Sequence, residues 1–326
     1  MVVRAYIVST GMAVPDRIVT NSDLEKMVDT SDAWIRERTG MAERRLSDEH
    51  TAASDLALPA SRDALRAAGL TPEDLDAVLV ATISGDYVFP ATACVLQHKL
   101  GAPNAMAFDL SAACTGYIYG LSVAQAYIES GRYRNILLVG VDMLTKVVDW
   151  TDRNTCVLFG DGAGATVIQP REEAGVLDTV LGSDGSAAEL LYQPCGGTRI
   201  PISHEAIENK KHYLYMNGRE IYKYAVREMV QCCRRVLERC GRSIGEVDLI
   251  IPHQANNRIL EAVAQRLEVP MDRVFINIEK YANTSAATIP IALHEALQQG
   301  RLREGSLTLF VSFGGGLTWG ASLVQF

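Results

Sequence analysis

The chain has 326 residues, 48% of them apolar and 21% charged, and a formal net charge of −8. This is ordinary globular composition, and its acidity argues against non-specific nucleic-acid binding. No apolar run reaches the roughly 18 residues of a membrane span, and the N-terminus lacks the pattern of a secretion signal, so a cytoplasmic protein is expected.

In chain order, Val2–Ser9 reads as a strand, and Ser22-Asp23-Leu24-Glu25 as a capping box opening a short helix. Residues 53–68 are Ala/Leu-rich with helical spacing and stop at Gly69. Thr71-Pro72 is an N-cap followed by proline at the first helical position. Residues 76–82 and 105–110 are short apolar strands, 115–130 a helix ended by Gly131, and 136–141 a third strand. This alternation argues for an α/β fold with a largely parallel core. Residues 183–215, with Gly196-Gly197 and Lys210-Lys211, read as a long surface excursion of the kind that forms a lid or channel wall.

The second half repeats the first. Leu65, Gly69 and Asp76 match Leu237, Gly241 and Asp248 at an offset of 172, and the helix-ending Gly131-Arg132 matches Gly300-Arg301 at 169. The 169 offset carries Cys114 onto Asn283. The expected division is an N-terminal half, 1–172, and a C-terminal half, 173–326. Any two βα units share some of this pattern. A duplication would also bring two strand-to-helix corners together at a pseudo-twofold axis, where strand ends build sites.

Seven cysteines at irregular spacings, with no C-x-x-C, fit neither a disulfide framework nor a cysteine zinc site. Cys114 stands out because small residues flank it (Ser111-Ala112-Ala113-Cys114-Thr115-Gly116) and a helix follows. Helix-end amides favour the thiolate, so a lowered thiol pKa is expected, although a packed core thiol is the plainer reading of a lone cysteine. His253 follows an apolar strand in Ile250-Ile251-Pro252-His253, and Asn283 precedes a helix, where asparagine is also a good N-cap. The run Phe313-Gly314-Gly315-Gly316 follows another strand and could offer backbone N–H groups to an oxyanion, or simply turn the chain. Gly160-Asp161-Gly162-Ala163-Gly164 is not a dinucleotide fingerprint, because a strand follows it and not a helix.

Taken together, DTSDAWIRERTG (29–40), the Cys114 segment, TDRNTCVLFGDGAGA (151–165), MNGREIYKYAV (216–226), PHQANNRI (252–259), YANTSAA (281–287) and FGGGLTWG (313–320) make the chain resemble the 3-oxoacyl-[acyl-carrier-protein] synthase III family from end to end. The resemblance implies a thiolase-like fold of five layers (αβαβα) in two duplicated halves, a homodimer, and an acyltransferase that condenses acyl-CoA with malonyl-acyl carrier protein. It implies a catalytic triad of Cys114, His253 and Asn283, and an oxyanion hole from the N–H groups of Cys114 and Gly315. Trp34 and Arg153 would sandwich the coenzyme A adenine, with Thr30 nearby and Arg38 at the phosphates. Lys223, Gln254, Ala255, Asn256, Asn257, Arg258 and Arg266 would meet the carrier protein, and Phe89 and Phe313 the acyl chain. No metal or redox cofactor is implied, and neither nucleic acid nor membrane is an implied partner. Asn257, where an apolar residue is more usual, and the 83–89 stretch depart from the family pattern. Other readings of the same residues are a starter-unit synthase of a polyketide-like pathway or related acyltransferase, a cysteine hydrolase, and a silent carrier-binding scaffold.

Overall fold

The computed structural model describes residues 2–326. The first half supplies β1 (Val3–Ala13), α1 (Asp32–Thr39), α2 (Ala53–Ala68), β2 (Ala77–Ala81), α3 (Thr92–Leu100), β3 (Met106–Leu110), α4 (Gly116–Glu129), β4 (Ile136–Met143) and β5 (Asp161–Glu172). The second supplies β6 (Gly175–Ser183), α5 (Gly218–Arg239), β7 (Leu249–Pro252), α6 (Asn257–Leu267), α7 (Thr288–Gln298), β8 (Leu307–Gly314) and β9 (Thr318–Gln325). Among the described residues no helix is long and apolar enough to cross a membrane.

The first sheet runs β1-β5-β4-β2-β3, and the second β7-β8-β9-β6. Their senses correspond: β2 is parallel to β4 as β7 is to β8, and β5 is antiparallel to β4 as β9 is to β8. The counterpart of β3 has shrunk to a single parallel bridge between Ile250 and Val274. Central strands carry unbroken apolar runs because both faces are covered; all five residues of β2 are buried.

Helices α4 and α7 lie between the sheets, packed on strands of both. Seven residues of each are buried, so neither shows the single apolar stripe of a surface helix. Helices α2 and α3 cover the outer face of the first sheet, and α5 and α6 that of the second, which completes five layers. Helix α5 packs Ile221, Ala225, Val226, Met229, Val230, Cys233, Val236 and Leu237 inward, and turns arginines outward.

Some elements differ in detail from the sequence reading. The first capping box is made by Thr20 and Asp23, two residues earlier than one opened by Ser22. Proline 72 opens a 3-10 turn, Pro72–Asp74. The repeat register also changes. Helices α4 and α7 begin at Gly116 and Thr288, an offset of 172, and the positive-φ residues before them, Ala113 (46°) and Ser285 (52°), keep that offset. Helix α7 has 11 residues against 14 in α4, so the three-residue loss falls inside the helix. The counterpart of Cys114 is therefore Ala286, and that of Asn283 is Ser111. Cys114 and Asn283 face one cavity from different rungs of their corners.

Candidate active site

Cys114 sits on a 3-10 turn, Ala113–Thr115, between β3 and α4. Ser312 Oγ donates to its carbonyl at 2.8 Å. The end of β8 comes so close that a Cβ on Gly314 would stand 2.8 Å from Cys114 N, which only glycine avoids. Thr318 Oγ1 lies 3.0 Å from Ala112 O and fastens the far side of the glycine run to the same turn. Gly315 lines a cavity beside Cys114.

The thiol does not match the expected lowering of its pKa. It is 7% exposed, and burial pushes it up to about 12, with the Asp142 carboxylate adding to the effect. Desolvation is the largest influence on this thiol, and its direction is opposite to the expected lowering.

His253 extends the β7–β8 pairing, its N–H donating to Val311 O at 2.8 Å. It is 2% exposed, and burial pulls the imidazole down to about 3, so the ring is neutral at ordinary pH. Its Nδ1 lies 2.7 Å from Thr288 Oγ1, on the first turn of α7. Asn283 is clamped by its backbone: its N–H donates to Leu158 O at 2.9 Å, and its carbonyl accepts from Gly160 N at 3.0 Å. Its Oδ1 accepts from Ser285 N at 2.8 Å, which leaves the amide NH₂ to face the cavity as a donor.

Cys114, His253, Asn283, Phe313 and Gly314 line one apolar cavity of about 140 Å³, walled further by Met216, Tyr222, Ala255 and Ile259. A second cavity of about 300 Å³ opens on the other side of Cys114, lined by Ile83, Leu144, Val147, Leu191, Leu214, Gly315 and Gly316. The 183–215 excursion thus supplies cavity wall, through Leu191, Tyr192, Gln193 and Leu214. The first cavity shares Leu158, Gly218, Tyr222 and Asn256 with a surface groove of about 660 Å³ that carries Trp34, Arg38, Arg219 and Arg258. Cys114, His253, Asn283 and the cationic mouth therefore lie along one path.

At the mouth, Arg153 stacks on Trp34 at 4.8 Å from the ring centroid, with Arg38 at 5.3 Å. A guanidinium at that distance leaves no room for a further ring between Arg153 and Trp34. Arg153 also donates to Asp29 O at 2.6 Å. The Thr30 hydroxyl is buried with no hydrogen-bond partner among the described residues.

Lys223, Arg258 and Arg266 are exposed on α5 and α6, and Lys223 pairs with Glu220 at 2.7 Å. Four neighbours are better placed for other work than for meeting a carrier protein. Gln254 is 1% exposed; its Nε2 donates to Pro252 O and Phe275 O, and its Oε1 accepts from Asn277 N. It braces the strand end that holds His253 and cannot reach a partner. Ala255 is cavity wall, and the Asn256 side chain caps α6. Asn257 turns against Gly40 at the end of α1, with its Oδ1 buried and unpartnered, so the departure from the family pattern sits at a helix–helix contact and not on a docking face. Phe313 lines the first cavity, whereas Phe89 is 84% exposed and lines neither cavity of its own chain.

Sequence reasoning missed Arg219, Ser285 and Thr288. Arg219 was accessible through its four-residue spacing to Lys223, which puts both on one face of α5. Thr288 had no such signal, because its partner lies 35 residues earlier in the chain.

The family described as 3-oxoacyl-[acyl-carrier-protein (ACP)] synthase III matches residues 108–185, and its C-terminal domain matches 237–326. The chain is 54% identical to a beta-ketoacyl-[acyl-carrier-protein] synthase III of Roseiflexus castenholzii, over 98% of both chains. It is 52% identical to the protein of that name from Caldanaerobacter subterraneus, over 99% of this chain and 98% of the other. The crystal structure of 3-oxoacyl-[acyl-carrier-protein] synthase III from Aquifex aeolicus superposes with a TM-score of 0.92 at 47% identity, covering 99% of this chain and 100% of that one. On this likeness along its whole length, with the thiolase-like layers and the Cys114 cavity beneath it, the chain belongs to the 3-oxoacyl-[acyl-carrier-protein] synthase III family of condensing acyltransferases.

Proposed function

We propose that Cys114 takes an acyl group from acyl-CoA and that the acyl-enzyme condenses with malonyl-acyl carrier protein, giving 3-oxoacyl carrier protein, free CoA and CO₂. The observation that carries this reading is the meeting of Cys114, His253 and Asn283 on one apolar cavity fed from a cationic groove. Sulfur attacks the thioester carbonyl, the bond to CoA sulfur breaks, and the thiol proton ends on the departing CoA. Malonyl thioester then loses CO₂, and the electron pair of the broken C–C bond forms an enolate. His253 Nε2 and the Asn283 amide hold the enolate oxygen, and the N–H groups of Cys114 and Gly315 hold the acyl oxygen. The enolate carbon attacks the acyl-cysteine, and the released sulfur regains a proton from solvent.

Trp34, Arg38 and Arg153, with Thr30 beside them, receive the nucleotide end of CoA, which is substrate and not cofactor. Lys223, Arg258 and Arg266 meet the acidic carrier protein, with Arg219 at the channel mouth. The second cavity takes the primer's acyl chain. Tyr87, Val88 and Phe89 are 65%, 91% and 84% exposed, an apolar patch that a second copy would cover in a homodimer, with Phe89 at that copy's primer cavity. The reaction is placed in the cytoplasm. The relatives' names, at about half identity over the full length, favour this reading over a starter-unit synthase of a specialised pathway.

The test is intact-mass detection of an acyl adduct on Cys114 after exposure to acyl-CoA, followed by CO₂ release and product formation on adding malonyl carrier protein. An adduct that forms but turns over to free acid without malonyl would favour a hydrolase, and no adduct at all would favour a scaffold.

A further inference from the structure

Thr288 is 3% exposed and stands at the first position of α7. Its hydroxyl has one hydrogen and two neighbours able to accept it. His253 Nδ1 lies 2.7 Å away and Ser285 O 3.0 Å away. The two arrangements have opposite consequences for the ring. If the hydroxyl donates to Ser285 O, Nδ1 must carry hydrogen to bond the hydroxyl, and Nε2 presents a lone pair. If the hydroxyl donates to Nδ1, Nε2 carries the hydrogen.

Three observations favour the second arrangement. Ser285 O already accepts the backbone N–H of Thr288 and does not need the hydroxyl. The contact to Nδ1 is the shorter of the two. Nε2 makes no hydrogen bond to any described residue, so the ring's second nitrogen is left for whatever enters the cavity that His253 lines. Asn283 is set in the same manner: Ser285 N–H engages its Oδ1 and turns the NH₂ inward. One short turn, Ser285–Thr288, thereby orients both groups of the cavity as donors.

We propose that Thr288 is a positioning residue whose hydroxyl holds His253 in the tautomer with hydrogen on Nε2, making the ring a hydrogen-bond donor to the enolate and not a base toward the Cys114 thiol. The ring's neutrality at ordinary pH is compatible with this, because only a neutral ring has a tautomer to fix. The inference rests on the condensation reading above.

The direct test is ¹⁵N NMR of the full-length enzyme with labelled histidine, the His253 signals being assigned by their loss in His253→Gln. The expected result is a protonated Nε2 and an unprotonated Nδ1; the reverse pattern overturns the proposal. The kinetic test separates the half-reactions. Thr288→Val, which keeps the shape and removes the hydroxyl, should slow condensation about 10- to 100-fold, since the ring nitrogen it served is left unpaired. Cys114 acylation should change by no more than about twofold, and Thr288→Ser should restore most of the condensation rate. Unchanged condensation in Thr288→Val overturns the proposal. So does equal loss of both half-reactions without rescue by serine, which marks a merely structural residue. Failure of the wild-type enzyme to release CO₂ from malonyl carrier protein would instead remove the condensation reading itself, so the two failures are distinguishable.

Discussion

The two strand-to-helix corners are built on one backbone plan and put to different uses. Both pass through a positive-φ residue, Ala113 or Ser285, then a 3-10 turn, then a central helix. The first corner reads Ser-Ala-Ala-Cys-Thr-Gly; besides its sulfur it has the Ser111 hydroxyl at the second cavity and the Thr115 hydroxyl, which donates to Thr318 O at 3.2 Å. The second reads Asn-Thr-Ser-Ala-Ala-Thr, with an amide and three hydroxyls. On the proposed reaction, the first corner would hold the acyl group and the second would orient hydrogen-bond donors. The two halves would then share geometry and divide the labour, covalent work in one and electrostatic work in the other.

That division is open to attack by substitution. The largest effect belongs to the first corner: Cys114→Ala should give no acyl adduct by intact mass, and turnover should fall to background. Next is the second corner. Asn283→Ala should keep acylation while condensation drops about 100- to 1,000-fold, the usual cost of one oxyanion donor, as measured by product formation from preformed acyl-enzyme. Equal loss in both half-reactions would erase the distinction between the corners. Outside both corners, Arg258→Glu should raise KM for the carrier substrate about tenfold or more while KM for acyl-CoA shifts much less, as expected for a desolvated charge at a docking face.

Gly314→Ala probes the seam between the halves. Its Cβ would stand 2.8 Å from the Cys114 backbone nitrogen. Overpacking of this kind costs about 1–3 kcal/mol, which a denaturant midpoint would register, and it should disturb acylation before condensation. A separate effect, confined to low pH, is on acid stability. His253 stays neutral in the folded chain down to about pH 3, whereas its unperturbed value is 6.5. The unfolded chain therefore binds a proton that the folded chain refuses, and stability falls as pH drops from 6.5 toward 3. His253→Gln should flatten that part of the stability-against-pH curve; an unaltered slope would mean the burial of this ring is not felt.

Much of this was open to sequence reading, for identifiable reasons. The helix at 53–68 and its stop at Gly69 follow from apolar spacing and a left-handed glycine at φ 68°, both local signals. Cys114 and His253 declared themselves by their positions at strand ends, where α/β sheets gather chemistry; Asn283, which follows the short helix Ile278–Tyr281, was singled out by the repeat and by its motif. What failed was whatever depends on side-chain direction or on distant partners. Gln254 follows His253 directly and shares its motif, yet it turns inward to three backbone groups, and no pattern in the chain announces that. The thiol's raised pKa reflects how deeply the turn is covered, and the helix-end argument could not weigh that burial. The repeat register slipped because the three missing residues lie within α7, where spacing alone cannot locate them.

The covered sulfur has a consequence for how this enzyme can be poisoned. Peroxides and ordinary alkylating agents need an accessible sulfur; Cys114 is covered, so it should outlast the exposed Cys94 under oxidative stress. On the proposed reaction, an electrophile that succeeds would enter by the same cavity, slim and uncharged at its reactive end, with an anionic tail toward the groove arginines. Selectivity against this target is a matter of shape and delivery, and raw reactivity would be spent on other thiols first.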